Sequence, residues 1–144
     1  MRQDREVEIL LVEDNPADAR LTMEAFKSST LPHSLSHAQD GVEALEFLRR
    51  QGRFSQAKRP DLILLDLNLP RKDGRVVLAD FKADPSLRSV PVVIFSTSQS
   101  RQDIARCYAI GANCYVSKPG NLGDFRAAVQ AIEQFWFNVA SLPD

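Results

Sequence analysis

Much that would announce a function is missing from this chain. Its 18 Lys+Arg against 19 Asp+Glu leave a formal net charge of −1, which gives no general attraction to nucleic acid or an anionic membrane. Any partner has to be recognised locally. No apolar run approaches the length of a membrane span, and the start, MRQDREVE, is charged where a signal peptide would be apolar. A cytoplasmic protein is therefore expected. Only two cysteines occur; Cys107 and Cys114 match neither a CxxC redox pair nor a zinc pattern, which leaves reduced core thiols as the reading. His33 and His37 lack metal-ligand partners at helical spacing and receive no role. The turn EDNPAD is neither GxGxxG nor a Walker sequence, against the usual nucleotide-binding turns. With 144 residues, 44% of them hydrophobic, the chain reads as one domain over 1–144, with no room for a DNA-binding output domain.

What is present is a repeated strand-then-helix grammar. Ile9-Leu10-Leu11-Val12 is too short for a helix and too uniformly apolar for a half-exposed strand, so it predicts a strand buried on both faces. Glu13 and Asp14 end it, and Asn15-Pro16 starts a helix to about Ser28, with Asn15 as the cap and Asp18 near the positive helix end. A weak strand at Ser34–Ala38 leads to a helix capped by Asp40, with Val42, Leu45 and Leu48 facing the core and Gly52 placed to stop it. Leu62–Leu65 repeats the buried-strand pattern and ends in Asp66. A third helix follows and stops before Pro85. VPVVIFSTS is a β-branched strand tipped by Ser96, and a helix capped by Ser100 turns Ile104 and Cys107 inward and ends at Gly111. NCYVSKPG gives a short strand ending in Lys118. The last helix, capped by Asn121, carries a stripe of Phe125, Ala128, Val129 and Ile132. Five such units predict an α/β, doubly wound, parallel five-stranded sheet with helices on both faces.

Open parallel sheets bind ligands beyond the carboxyl ends of their strands, where Glu13, Asp14, Asp66, Ser96 and Lys118 all fall. If the strands that carry them are neighbours, three carboxylates cluster and raise one another's pKa unless a cation sits among them. Lys118 supplies one charge, and a hard divalent ion such as Mg²⁺ supplies more. Such a site suits phosphoryl transfer, and a carboxylate can itself be the nucleophile, forming an aspartyl phosphate.

Four segments, VEDN (Val12–Asn15), ILLDLNLPRKDG (Ile63–Gly74), VVIFST (Val92–Thr97) and YVSKPG (Tyr115–Gly120), resemble the receiver domain of two-component response regulators. Thirty residues separate Asp66 from Ser96 and twenty-two separate Ser96 from Lys118, as in that family. The resemblance runs from about Val7 to Trp136 and implies a flavodoxin-like receiver fold. It implies Asp66 as phosphoacceptor, with Mg²⁺ or Mn²⁺ held by Asp14, Asp66, the main-chain carbonyl of Asn68, and Glu13 through water. Ser96 would bind a phosphoryl oxygen, Lys118 would pair with Asp66 or its phosphate, and Tyr115 would be the switch aromatic. Pro119 would follow a cis bond. The GRFSQAKRP loop and the closing FWFNVASLP are similar to single-domain regulators that partner bacterial phytochrome histidine kinases, so a sensor histidine kinase is the implied partner. Ser96 stands where Thr is more usual in the family, and Gly120 where a bulky residue often follows Lys-Pro.

Two other classes are weighed. A haloacid dehalogenase-type phosphatase also uses an Asp after a buried strand, but needs a second Asp two residues on, where this chain has Asn68. A phosphorylation-independent interaction module would not need the full acid, hydroxyl and lysine set. Association is read from the end of the chain: Phe135 and Trp136 continue the buried stripe, whereas Phe137 falls roughly 140° from Ile132 on a regular helix. Either the tail, through Val139 and Leu142, or a second copy covers it. The homodimer, packed through the last helix, fifth strand and fourth helix, is the favoured expectation, with Phe135, Trp136 and Phe137 at its interface.

Overall fold

In the computed structural model, which describes residues 6–29 and 31–143, the uninterrupted aliphatic runs become strands covered on both faces. β1 (Val7–Val12), β2 (His33–Ala38), β3 (Leu62–Leu65), β4 (Val92–Ser96) and β5 (Cys114–Ser117) form one sheet in the order β2-β1-β3-β4-β5, every pair parallel. This is the flavodoxin-like order, whose direction reverses at β1 and β3 and opens a crevice at their carboxyl ends. The helices are α1 (Pro16–Phe26), α2 (Gly41–Leu48), α3 (Gly74–Ala83), α4 (Arg101–Ile110) and α5 (Leu122–Gln134). The charged start at residues 1–5 lies outside the described residues. Among those described, no helix is long and apolar enough to cross a membrane.

Strand alternation sorts the core into two layers. Leu10, Val12, Ile63, Leu65, Val92 and Ile94 pack beneath α2, α3 and α4, while Ile9, Leu11, Leu62, Leu64, Val93 and Phe95 pack with α1 and α5. Cys107 and Cys114 are free thiols in opposite layers, and burial raises the pKa of both. The helix starts follow the sequence: the side chains of Asn15, Asp40, Ser100 and Asn121 accept from the backbone amides of Asp18, Glu43, Asp103 and Asp124. Two glycines are required by close approach. A Cβ on Gly74 would collide with the main chain of Asp66 and Leu67, and one on Gly41 with the carbonyl of Lys72. The starts of α3 and α2 are thereby pressed onto the turn that follows Asp66.

Several boundaries differ from expectation. α1 ends at Phe26, and the Ser28 hydroxyl donates to the Ala25 carbonyl in the closing turn. α2 stops at Leu48, before Gly52, because Arg50 takes the left-handed conformation (φ 55°) and Gln51 N–H closes back on the Glu46 carbonyl. Val42 and Ile104 are only half-buried; the inward stripe of α2 is Gly41, Ala44, Leu45 and Leu48. The Lys118–Pro119 bond is trans, an isomer that an X–Pro bond reaches at little energetic difference.

The end of the chain departs furthest from a regular α-helix. α5 passes into a π-helical turn, Phe135–Val139, closed by Ala140 N–H on the Phe135 carbonyl at 2.7 Å. Bonding to the fifth residue widens the turn, so each residue rotates less than on a 3.6-residue helix. Phe137 is thus carried back toward the face of Ile132. Its ring centroid lies 5.8 Å from that of Phe26 and 5.9 Å from that of His33. Phe137 therefore packs against α1 and the start of β2 and is half-buried there. Trp136 packs on the same layer, whereas Phe135 is 49% exposed and off the stripe it was expected to continue. Phe137→Ala is accordingly expected to lower the unfolding free energy by about 2–3 kcal/mol in urea denaturation, the loss of a partly buried ring. A change within about 0.5 kcal/mol, the range of ordinary surface substitutions, would contradict this packing.

Candidate functional site

β1 and β3 run side by side with Val12 opposite Leu65, so the residues that follow them meet at the crevice. The ladder continues past both strands: Asp66 N–H donates to the Val12 carbonyl and Glu13 N–H to that of Ala38, each at 3.0 Å. Glu13 is 2% exposed and Asp66 8%, while Asp14 is exposed beside them. One carboxylate oxygen from each of Glu13, Asp14 and Asp66 lies within 4.8 Å of the others. β5 delivers Lys118, whose own amide donates to the Ser96 carbonyl at 2.8 Å. Its buried ammonium then donates to Glu13 Oε1 at 2.5 Å, Asp18 Oδ2 at 2.9 Å and Asp66 Oδ2 at 3.2 Å. The other Asp66 oxygen accepts from Leu67 N–H at 2.7 Å.

The sequence expectations for Glu13, Asp14, Asp66 and Lys118 thus meet in one cluster. Continuing the alternation of their strands, Glu13, Asp66 and Lys118 share the face covered by α1 and α5, and Ser96 and Tyr115 share the opposite one. Ser96 is fully buried, and its hydroxyl accepts from Ser98 N–H at 3.2 Å. Tyr115, half-buried, donates its hydroxyl to the Ser98 carbonyl at 2.8 Å, and burial raises its pKa. Asn68 is exposed in the turn after Asp66. Gly120 is exposed with open space where a side chain would project.

Two participants escape sequence reasoning. Asp18 reads as a helix-start residue, but the cap engages only its amide, and its carboxylate reaches a lysine 100 residues away. His37 Nε2 lies 2.7 Å from the Glu13 carbonyl, an obligate acceptor, so that nitrogen carries the proton and steadies the Glu13 main chain. Neither has a local signal, since each depends on how the strands are registered.

One ammonium among Glu13, Asp18 and Asp66, with Asp14 adjacent, leaves negative charge in excess. Glu13 shows the consequence: burial, and to a smaller degree the Asp66 charge, push its pKa up to about 7 despite Lys118. For Lys118, burial acts downward, but the hydrogen bond it donates to Glu13, the charge of Asp66 and the hydrogen bond it donates to Asp18 outweigh it and hold the ammonium protonated. Hard carboxylate oxygens with surplus charge, one of them at the surface, are a donor set that fits a hard divalent cation.

Known proteins share this fold. The response regulator receiver domain matches residues 9–130. This chain belongs to that family. The receiver is 49% identical over 135 residues to Response regulator Rcp1 of Synechocystis sp., covering 94% of this chain and 92% of that protein. The crystal structure of the Mn²⁺-bound form of Rcp1 superposes with a TM-score of 0.94 at 48% identity, over 96% of the receiver and 99% of that chain. The phosphorylated cyanobacterial phytochrome response regulator RcpA gives a TM-score of 0.95 at 50% identity, over 97% and 100%.

The raised Glu13 pKa has a sign that can be measured. Between its ordinary 4.5 and about 7 the folded receiver holds a proton that the unfolded chain releases, so this group's contribution makes stability fall as pH rises through that window. A divalent cation favours the ionised carboxylate. Added Mg²⁺ is therefore expected to raise Tm by several degrees at about pH 8 and by much less at about pH 5. Equal shifts at both pH values in scanning calorimetry would contradict it.

Proposed function

We propose that the receiver is a phosphoacceptor switch in which Asp66 takes a phosphoryl group from the phosphohistidine of a sensor histidine kinase. A carboxylate oxygen of Asp66 forms the new bond to phosphorus, the histidine N–P bond breaks, and its electron pair returns to the imidazole nitrogen. The observation that carries this reading is the buried Asp66 at the tip of β3, with Lys118 Nζ at 3.2 Å and two further carboxylates within 4.8 Å. Glu13, Asp14, Asp66 and the Asn68 main-chain carbonyl are the residues that would hold Mg²⁺ or Mn²⁺. Bound there, the ion supplies neutralisation of charge on the transferred group. Lys118 keeps its ammonium beside Asp66 before and after transfer, and the site thereby assists its own phosphorylation and dephosphorylation. The absence of a second Asp at Asn68 disfavours a dedicated phosphatase, and the complete acid and lysine cluster disfavours a phosphorylation-independent module.

Ser96 and Tyr115 are assigned the reading of the phosphate. They lie on the other face of the sheet from the Asp66 side chain, and a hydroxyl at a strand tip is drawn to a new dianion. Likeness to RcpA, a phytochrome response regulator, and to Rcp1 supports a phytochrome-type kinase as partner. In this reading the chain is a single receiver over 1–144, acts in the cytoplasm, and signals by altered association.

The homodimer through α4, β5 and α5 is kept in this proposal on a revised footing. Its apolar candidates are the exposed Tyr108 of α4, Leu122 of α5 and Phe135 just beyond it. Trp136 and Phe137 pack on the α1/α5 layer and are half-buried, so they join this interface through the edges they leave exposed. Phe135→Ala is expected to weaken self-association by about tenfold in sedimentation, with fold stability retained. A wild type that stays monomeric at every concentration, with or without a phosphoryl donor, would end the dimer proposal.

Phosphotransfer tests the main reading directly. Asp66→Asn is expected to abolish label uptake from a cognate kinase, chosen from a panel that includes a light-regulated one. Ser96→Ala should accept label yet lose the accompanying spectral change. Label reaching Asp66→Asn at the wild-type rate would refute the acceptor assignment, and a full spectral change in Ser96→Ala would remove Ser96 as reader.

A further inference from the structure

Ser98 stands between the two residues assigned to read the phosphate, and each of its polar groups is engaged. Its amide donates to Ser96 Oγ at 3.2 Å, its carbonyl accepts from the Tyr115 hydroxyl at 2.8 Å, and its own hydroxyl donates to Asp103 Oδ2 at 2.7 Å. The first two bonds touch the switch residues. The third leads away from them, to an ion pair that no step of the proposed function uses.

That pair is Asp103 on α4 with Arg75 on α3. Arg75 Nε donates to Asp103 Oδ1 at 2.9 Å and Nη2 to Oδ2 at 2.8 Å, the two-pronged geometry a guanidinium makes with a carboxylate. The remaining terminal nitrogen, Nη1, donates to Asp73 at 3.0 Å, and Asp73 also caps α3 by accepting from the Arg75 amide at 2.8 Å. The Arg75 side chain is only 18% exposed and that of Asp103 only 22%, so the pair is partly shielded from screening. The hydrogen bonds from Arg75 and then Ser98 hold the Asp103 pKa down to about 2, and the hydrogen bond to Asp103 raises that of Arg75 against burial. Both ends are fixed to backbone: Asp103 by the Ser100 cap of α4, and Arg75 through Gly74, whose amide donates to the Leu67 carbonyl at 2.8 Å in the turn after Asp66. The pair is a strut between the turn that follows Asp66 and the turn that follows Ser96.

We propose that Arg75 and Asp103 are positioning residues that hold Ser98, so that the Ser96 hydroxyl and the Tyr115 hydroxyl answer a change at Asp66 as one unit. The inference rests on the phosphoacceptor reading for the signal that arrives. The strut itself exists without phosphate. With Ser98 anchored at its hydroxyl, a Ser96 hydroxyl that turns away from the Ser98 amide disturbs the same turn whose carbonyl seats Tyr115. With Ser98 loose, the turn absorbs that rotation and Tyr115 is left unaffected.

The test compares wild type with Arg75→Lys, which keeps the charge and loses the fork, with Asp103→Ala, and with Asp103→Glu, which keeps the carboxylate. Before any phosphorylation, the Ser98 amide is expected to exchange with solvent about tenfold faster in Arg75→Lys and Asp103→Ala, while Mg²⁺ affinity stays within about twofold. After acetyl phosphate and Mg²⁺, the Tyr115 resonance of fluorotyrosine-labelled protein is expected to move less than about half as far as in wild type, although phosphate accumulates equally. Asp103→Glu should recover most of that movement. Wild-type exchange at Ser98 in both disruptive variants, or a full Tyr115 shift in both, would overturn the proposal. A wild type that takes up no phosphoryl group would instead count against the acceptor reading, and the exchange rates alone would then decide the anchor.

Discussion

The ammonium of Lys118 is the interaction on which the site depends, because buried carboxylates cannot be left to themselves. Glu13 and Asp66 sit at the ends of strands whose neighbours are aliphatic, and Asp18 leans in from α1. Desolvation disfavours the charged form of a buried acid, and burial is the leading cause of the raised Glu13 pKa. Lys118 holds part of the charge in place. It answers to three acids at once, so it cannot satisfy them fully, and negative charge is left over around it. A fully compensated site would have no use for a cation. The incompleteness of the lysine's compensation is what gives the cluster affinity for one.

Where the sequence was legible, the reason is continuity. Leu62–Leu65 and Ile9–Val12 cannot be half-exposed strands or helices, so their ends are fixed, and Asp66, Glu13 and Asp14 with them. The caps were equally readable, since Asn15 and Asp18 or Ser100 and Asp103 interact within four residues. What could not be read depends on register or on a change of period. Asp18 to Lys118, His37 to Glu13 and Arg75 to Asp103 all join elements distant in sequence. Phe137 failed for a different reason: extrapolating 3.6 residues per turn through Phe135–Val139 puts the ring outside, and one widened turn puts it against Phe26. Helical periodicity carries positional information only as long as the hydrogen-bond pattern that generates it.

The sheet also acts as a partition. Strand parity sends Glu13, Asp66 and Lys118 to the α1/α5 side and Ser96 and Tyr115 to the side of α3 and α4. The two sets of side chains therefore meet only at the strand tips. A residue on the α3/α4 side has to be connected to Asp66 through backbone at those tips, and the Lys118 amide on the Ser96 carbonyl is one such link. The Gly74 contact with the Asp66 main chain is another, and it requires a residue without a side chain.

This partition bears on what restrains the serine at position 96. A threonine would restrict its own rotation through its methyl group, whereas serine must be held from outside. Ser96 is fully enclosed, and its hydroxyl is met by the Ser98 amide, so the restraint missing from its own side chain is present in its neighbours. Ser98 in turn is tied to Asp103 and Tyr115. Replacing an intrinsic rotamer preference by hydrogen bonds makes the restraint depend on residues elsewhere in the chain. The restraint on the Ser96 hydroxyl then becomes a property of the turn between β4 and α4 and of the ion pair that braces it, and no longer of Ser96 alone.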